Sequence, residues 1–291
     1  KMSTPLPILK EQIENYFSKS LAADVDQATL RDAMNYSLMA GGKRLRPALT
    51  LATIEMLGGT LNDDLLRAAS ALELLHTYSL IHDDLPAMDN DDLRRGKPTN
   101  HCKFGAGMAT LAGDGLLTLA FQWVADNHLP ANVRSQLTLE LAKAAGPSGM
   151  VAGQARDIEG EHQHLTLNQL RYLHRQKTGE LIRYAVLAGG IMMDQSAEIK
   201  QELAAFGENY GLAFQIYDDL MDILSTTEEM GKAVHKDADE QKNTYPGLLG
   251  VDGAKEQLQI ALTAASQNQK NLEKLTGKSF AGYDDFLAYF K

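Results

Sequence analysis

Apolar side chains recur every three or four residues along nearly the whole chain, the spacing that lines one face of an α-helix. The pattern predicts helices over residues 5–17, 29–39, 47–57, 62–82, 108–126, 131–145, 167–193, 197–224, 252–275 and 283–290. Breakers fall between them: Gly41-Gly42, Gly58-Gly59, Pro98 with Asn100, Pro130, Gly146-Pro147, Gly160, Pro246-Gly247 and Gly277. Apolar–polar alternation over β-branched and aromatic residues is missing, so no sheet is expected. Nothing reads as a linker or a low-complexity tract. The expectation is an all-α, single large helical bundle, one domain over residues 1–291, with Lys1 before Met2 set aside as an added residue.

Two interruptions of the apolar pattern carry chemistry. Asp83, Asp84, Asp89, Asp91 and Asp92 fall within ten residues. On an ideal helix Ala69, Leu72, His76, Ser79 and Asp83 share one stripe, apolar at one end and acidic at the other, as a pocket wall would be. Pro86 must kink or end the helix, and that break can curl Asp89 back toward Asp83. The second cluster is Gln215, Asp218, Asp219 and Asp222, spaced to share one helical face. The stretches 72–89 and 210–222 thus read as two apolar helices that each end in an Asp-Asp cluster. Carboxylates this close repel unless a cation joins them, and Mg²⁺ favours carboxylates together with substrate phosphates.

Basic residues adjoin these sites. Arg94, Arg95 and Lys97 follow the first cluster. Lys43 and Arg46 lie one turn apart after Gly41-Gly42, next to an expected helix start at Pro47 that favours an anion. Lys177-Thr178 follows Arg171 and Arg175, and Lys232, Lys236 and Lys242 come after the second cluster.

Composition narrows the classes. Lys and Arg total 28 against 38 Asp and Glu, a formal charge of −10, which argues against a general nucleic-acid binder. Hydrophobic residues at 44% and charged ones at 23% are those of a folded domain. Cys102 is the single cysteine, so neither an intrachain disulfide nor an all-Cys zinc site is possible, and it has no obvious base partner in the sequence. With no leader and no apolar run of membrane-spanning length, a cytoplasmic protein without stable membrane insertion is expected.

Together, Gly41-Gly42-Lys43-Arg44-Leu45-Arg46-Pro47, Asp83-Asp84-Leu85-Pro86-Ala87-Met88-Asp89 with Arg94-Arg95, Lys177-Thr178, and Gln215-Ile216-Tyr217-Asp218-Asp219-Leu220-Met221-Asp222 resemble the trans-isoprenyl diphosphate synthases, in finer detail their bacterial farnesyl type. The resemblance runs in order over nearly the whole chain. It implies a helical bundle around a deep central cavity, normally a homodimer. It implies that Asp83, Asp89 and Asp218 hold a cluster of about three Mg²⁺ ions on the allylic diphosphate. Arg94, Lys177, Thr178, Gln215 and Lys232 would complete the shell of that diphosphate. Lys43, Arg46, His76 and Arg95 would bind isopentenyl diphosphate. Asp84, Asp219 and Asp222 would be auxiliary. The reaction implied is head-to-tail condensation through an allylic carbocation, with Asp83, Asp89, Lys177 and Asp218 as its working residues.

Product length is expected to depend on Tyr78 and Ser79, five and four positions before Asp83. The aromatic at Tyr78 resembles the farnesyl type, although an ideal helix turns it about 140° from Asp83, whereas small Ser79 lies on the pocket stripe. Geranylgeranyl and geranyl diphosphate synthases are the alternatives. Two departures from the family pattern stand out: His235-Lys236-Asp237 after Lys232, and a C-terminus lacking the usual Arg-containing tail. A remote rival is a di-iron carboxylate bundle, since Glu73-Leu74-Leu75-His76 and Glu159-Gly160-Glu161-His162 match its Glu-x-x-His pairs.

Overall fold

A computed structural model describes residues 3–230 and 243–291, without side chains for 225–230. Helices dominate it, and the chain divides into two compact units.

The first unit comprises residues up to Thr138 together with Ile191–Asp194. It contains α1 (Leu6–Asp24), α2 (Ala28–Leu38), α3 (Leu45–Met56), α4 (Asp63–Asp83), α5 (Asn100–Phe104), α6 (Ala106–Ala125) and the first half of α7 (Ala131–Ala145). Helix α4 packs chiefly on α6 and then on α3. Asn62 starts it by accepting from the Leu65 amide at 3.0 Å, and Asp63 and Asp64 in the first turn complement the dipole. Inside α4, Glu73 is buried and meets Arg44 at 3.3 Å. Arg44 also reaches Glu14 at 3.1 Å and the Leu38 carbonyl at 2.6 Å, with its guanidinium 5.5 Å from the Phe17 ring centre. In the run Lys43-Arg44-Leu45-Arg46, Arg44 is therefore the strut that fixes the loop.

The second unit comprises Leu139–Gly190 and Gln195–Lys291. It holds the rest of α7, α8 (Met150–Gly160), α9 (Leu167–His174), a wide π turn (Arg175–Gly179), all but the last two residues of α10 (Glu180–Met192), α11 (Ala197–Met230), α12 (Tyr245–Thr276), α13 (Gly282–Leu287) and a closing 3₁₀ turn (Ala288–Phe290). Helix α11 packs on α12, and Phe206, Tyr210, Phe280, Tyr283 and Phe286 form a buried aromatic floor under the C-terminus. Phe206 and Tyr283 stack at 3.9 Å.

The expected helices are present, with six differences. Residues 150–160 form α8 although Gly153 and a polar composition hide its period. Residues 100–104 form a helix too short to show one. The segment 167–193 is interrupted by the π turn. Helix α11 runs on past Asp222, so the second acidic cluster does not end its helix as the first does. A two-residue ladder, β1 (Leu93–Arg94) with β2 (Lys97–Pro98), stands where no sheet was expected. Pro246 opens α12 rather than separating helices, and the bend comes at Gly250, whose φ of +72° only glycine adopts without strain.

Candidate active site

In the first unit α4 ends at Asp83, three residues ahead of Pro86, so the proline sits in a turn and costs no helical bond. The turn closes on itself. Met88 donates to the Leu85 carbonyl at 2.9 Å, and the Asp89 amide donates to the Asp83 carbonyl at 2.8 Å. Asp89 is thereby folded back onto Asp83, as the break at Pro86 predicts. Asp83 is half-buried and Asp89 exposed. Asp84 behaves differently. It is buried, and Arg94 grips both its oxygens, Nε and Nη2 each at 2.8 Å. A bidentate pair of this kind holds side chains in one geometry. Asp84 positions Arg94, while Asp83 and Asp89 are two hard oxygen donors on one turn, the donor type that suits Mg²⁺.

Beyond Arg94 the ladder turns through Arg95 and Gly96, both at positive φ. This aims Arg95 at the Gly41-Gly42 loop, where Nη1 donates to the Gly41 carbonyl. A Cβ on Gly42 would lie 3.0 Å from that Nη1, and the φ there is +127°. Glycine is thus required for the guanidinium to sit so close. Lys43 is exposed on the same loop and Arg46 is buried in the first turn of α3. Burial first, then the charges of Arg46, Arg95, Arg94 and Arg44, hold the His76 pKa well below its ordinary value. His76 is therefore a neutral ring beside a cluster of guanidinium groups. The four residues expected to bind one diphosphate all belong to this unit, and Arg46, Arg95 and His76 lie within one another's field.

Tyr78 is buried, its ring edge-on to His82 at 5.5 Å. Burial and then the charge of Asp83 raise its pKa. Ser79, also buried, returns its hydroxyl to the His76 carbonyl at 2.6 Å. His82 Nε2 donates to the Thr110 carbonyl at 3.0 Å over Gly113, where a Cβ would come within 2.1 Å of that nitrogen. Sequence reasoning passed over His82, although a histidine one turn after Tyr78 and beside Asp83 was a usable signal.

The second unit carries the other cluster. Thr178 donates to Gln215 Oε1 at 3.1 Å, Gln215 Nε2 donates to Asp219 Oδ1 at 2.8 Å, and the Tyr245 amide donates to Asp219 Oδ2 at 3.1 Å. The expected common face of 215, 218, 219 and 222 exists, but it straddles the surface: Asp219 is buried, Asp218 half-buried and Asp222 exposed. Burial pushes the Asp219 pKa up to about 6 against those two hydrogen bonds. Lys177 meets Asp157 at 2.5 Å. Tyr289, from the closing turn, donates to Asp218 Oδ1 at 3.4 Å and stacks on Phe214. His174 lies 3.9 Å from Asp219 Oδ2, stacked on Tyr245, and burial drives its pKa down to about 4. Asp157, His174 and Tyr289 were absent from the sequence reading. Only His174, one turn before Thr178, had a local signal. Lys232, Lys236 and Lys242 lie outside the described residues.

The iron rival fails on geometry. Glu73 is tied to Arg44, His76 sits among arginines, and α8 stops at Gly160, so Glu159 and His162 share no helix.

With these sites in place, the family model described as polyprenyl synthetase matches residues 27–279. The chain belongs to the polyprenyl synthetase family. It is 51% identical over 269 residues to the farnesyl diphosphate synthase of Geobacillus stearothermophilus, covering 91% of this chain and 90% of that one. To the geranylgeranyl diphosphate synthase of Cyanophora paradoxa it is 42% identical, covering 89% and 86%. The crystal structure of a Helicobacter pylori geranyltransferase complexed with magnesium and isoprenyl diphosphate superposes with a TM-score of 0.82 at 33% identity, covering 99% and 97%. The all-helical isoprenoid synthase fold expected from the motifs is the fold of this polyprenyl synthetase.

Proposed function

We propose that this chain condenses isopentenyl diphosphate head-to-tail with dimethylallyl and then geranyl diphosphate, giving farnesyl diphosphate. The observation that carries the reading is the turn that folds Asp89 onto Asp83 directly ahead of the strand that bears Arg94 and the turn that bears Arg95. It sets hard anionic donors for a cation beside fixed guanidinium groups for a diphosphate. Asp83, Asp89 and Asp218 would hold Mg²⁺, which when bound supplies charge neutralisation of the departing diphosphate.

The rest falls to the chain's own residues. Arg94, locked by Asp84, together with Lys177, Thr178, Gln215 and Lys232 would orient the allylic diphosphate. Lys43, Arg46 and Arg95 would supply charge to the other diphosphate, and neutral His76 a hydrogen bond. No protein nucleophile is required. The double bond of isopentenyl diphosphate attacks the allylic carbocation, and the released diphosphate is the natural acceptor for the proton then lost. The chain would act as one cytoplasmic prenyltransferase domain and assemble as a homodimer, to be checked by light scattering against twice 31.8 kDa.

Incubation with isopentenyl and geranyl diphosphates in Mg²⁺ should yield a fifteen-carbon product, and EDTA should abolish it. Absence of elongation with Mg²⁺ would overturn the assignment. A geranylgeranyl product is the second reading, favoured by the small side chain of Ser79 on the pocket stripe.

A further inference from the structure

Cys102, which the sequence leaves without a partner, is not alone in the structure. The β1–β2 ladder pairs Leu93 with Pro98, and the Thr99 amide donates to the Asp92 carbonyl at 2.9 Å. This closure lays Asp92, nine residues earlier in sequence, beside the turn of α5 that carries His101 and Cys102. The Cys102 sulfur lies 3.5 Å from Asp92 Oδ1 and 3.9 Å from His101 Nδ1. One ligand atom from each residue falls within 4.8 Å of the other two.

We propose that Asp92, His101 and Cys102 form a site for a thiophilic divalent cation of the Zn²⁺ type, chemically separate from the all-oxygen Asp83–Asp89 turn. Three features argue for it. First, metal bonds of zinc length arranged tetrahedrally place sulfur about 3.5 Å from an oxygen or nitrogen ligand. The sulfur–oxygen distance equals that edge, and the sulfur–nitrogen distance exceeds it by a few tenths of an ångström. The sulfur lies 4.0 Å from the other ring nitrogen, so the half-buried imidazole would have to rotate to aim Nδ1 at the ion. Second, His101 Nε2 lies 2.8 Å from the Asp91 carbonyl. A carbonyl only accepts, so Nε2 carries the proton and Nδ1 keeps the lone pair a metal needs. Donation of the remote ring N–H to a carbonyl is the usual support of a metal-bound histidine. Third, one sulfur, one nitrogen and one oxygen donor suit a borderline-soft ion and disfavour Mg²⁺.

Asp92 and Cys102 are exposed, so a cation can enter and a water can complete the fourth position. Binding replaces the thiol proton, which goes to solvent, and leaves two anionic ligands and one neutral ligand on the ion. The ion would pin α5 to the residue that directly precedes the β1–β2 ladder.

The test uses the purified full chain in saturating Mg²⁺, titrated with Co²⁺. Thiolate–cobalt charge-transfer absorption in the near-ultraviolet reports sulfur ligation, which carboxylate-bound cobalt does not produce. The wild type should saturate at a single cobalt per chain. Cys102→Ser, a one-atom change at an exposed position, should abolish the band while leaving prenyl transfer in Mg²⁺ unchanged. Asp92→Asn and His101→Ala should each weaken cobalt binding at least tenfold. As a second measurement, micromolar Zn²⁺ should raise the thermal midpoint of the wild type by about 2–4 °C and that of Cys102→Ser not at all. No sulfur band in the wild type, or a band indifferent to both Asp92→Asn and His101→Ala, would overturn the site.

Discussion

Neighbours, more than residue type, set what each charged side chain does here. His76 has the ordinary imidazole chemistry, yet burial and four guanidinium groups keep it neutral. In the unfolded chain it titrates near its model value of about 6.5. Below that pH the unfolded state takes up a proton that the folded state refuses, so folding stability must fall as acid is added and level off once the lower native pKa is passed. Urea denaturation at about pH 7.5 and 5.5 should show this loss, and His76→Gln should reduce the difference. Equal slopes in the two proteins would place the imidazole outside the cationic cluster. Tyr78 is the other residue whose surroundings matter. It is buried against His82, one turn from Asp83, and Tyr78→Ala would open a cavity on that side of α4. The expected outcome is a shift of the main product from fifteen to twenty carbons, read by chromatography of labelled products. An unchanged spectrum would remove Tyr78 from length control.

The Asp and Arg motifs were legible in the sequence because their spacing is local. What Asp84 does was not. Its bond to Arg94 depends on a reversal at Arg95-Gly96 that periodicity cannot report. Likewise the sequence singled out Lys43 and Arg46 and gave Arg44 no role, and only the positions of Glu14 and Glu73, far away in the chain, make Arg44 the strut.

Among elements, long helices were readable because each buries one face, and their ends shifted only where capping or a turn decided them. The π turn at Arg175–Gly179 was not readable, since its extra residue leaves the flanking apolar periods intact on either side. It is held from below by α8. A Cβ on Gly153 would lie 2.3 Å from the Lys177 amide nitrogen and 2.6 Å from its Cα, both backbone atoms with little room to yield. Gly153→Ala should therefore displace the turn that carries Lys177 and Thr178. We expect a loss of about 1–3 kcal/mol in stability, by overpacking, and a rise in KM for the allylic diphosphate larger than that for isopentenyl diphosphate. Denaturant titration and steady-state kinetics would check both. An equal rise in the two KM values would argue that Lys177 and Thr178 do not serve the allylic group.

For the molecule as a whole, the charge of −10 has a local meaning: eight of its 38 acidic residues lie in the two Asp clusters. A free diphosphate is repelled by such a field until cations enter it. Calorimetric titration with inorganic diphosphate should therefore give affinity at least a hundredfold weaker in EDTA than in millimolar Mg²⁺. Similar affinities in both would assign diphosphate binding to the arginines and lysines alone. Helical class and family were legible at this scale from motif order. The division into two compact units was not, because it follows from how the helices pack, and no composition change in the sequence marks it.

The wide turn between α9 and α10 has a further consequence, for insertions and deletions. If one residue were lost between 175 and 179, the segment could close as an ordinary α-turn with α9 and α10 kept in phase, whereas one residue more would turn α10 by about 100° relative to α9. That rotation would carry Glu180 and Arg183 toward the core that Leu181, Ile182 and Ala185 now fill. The segment 175–179 can therefore lose a residue more readily than gain one, and insertions there should be far scarcer than single deletions.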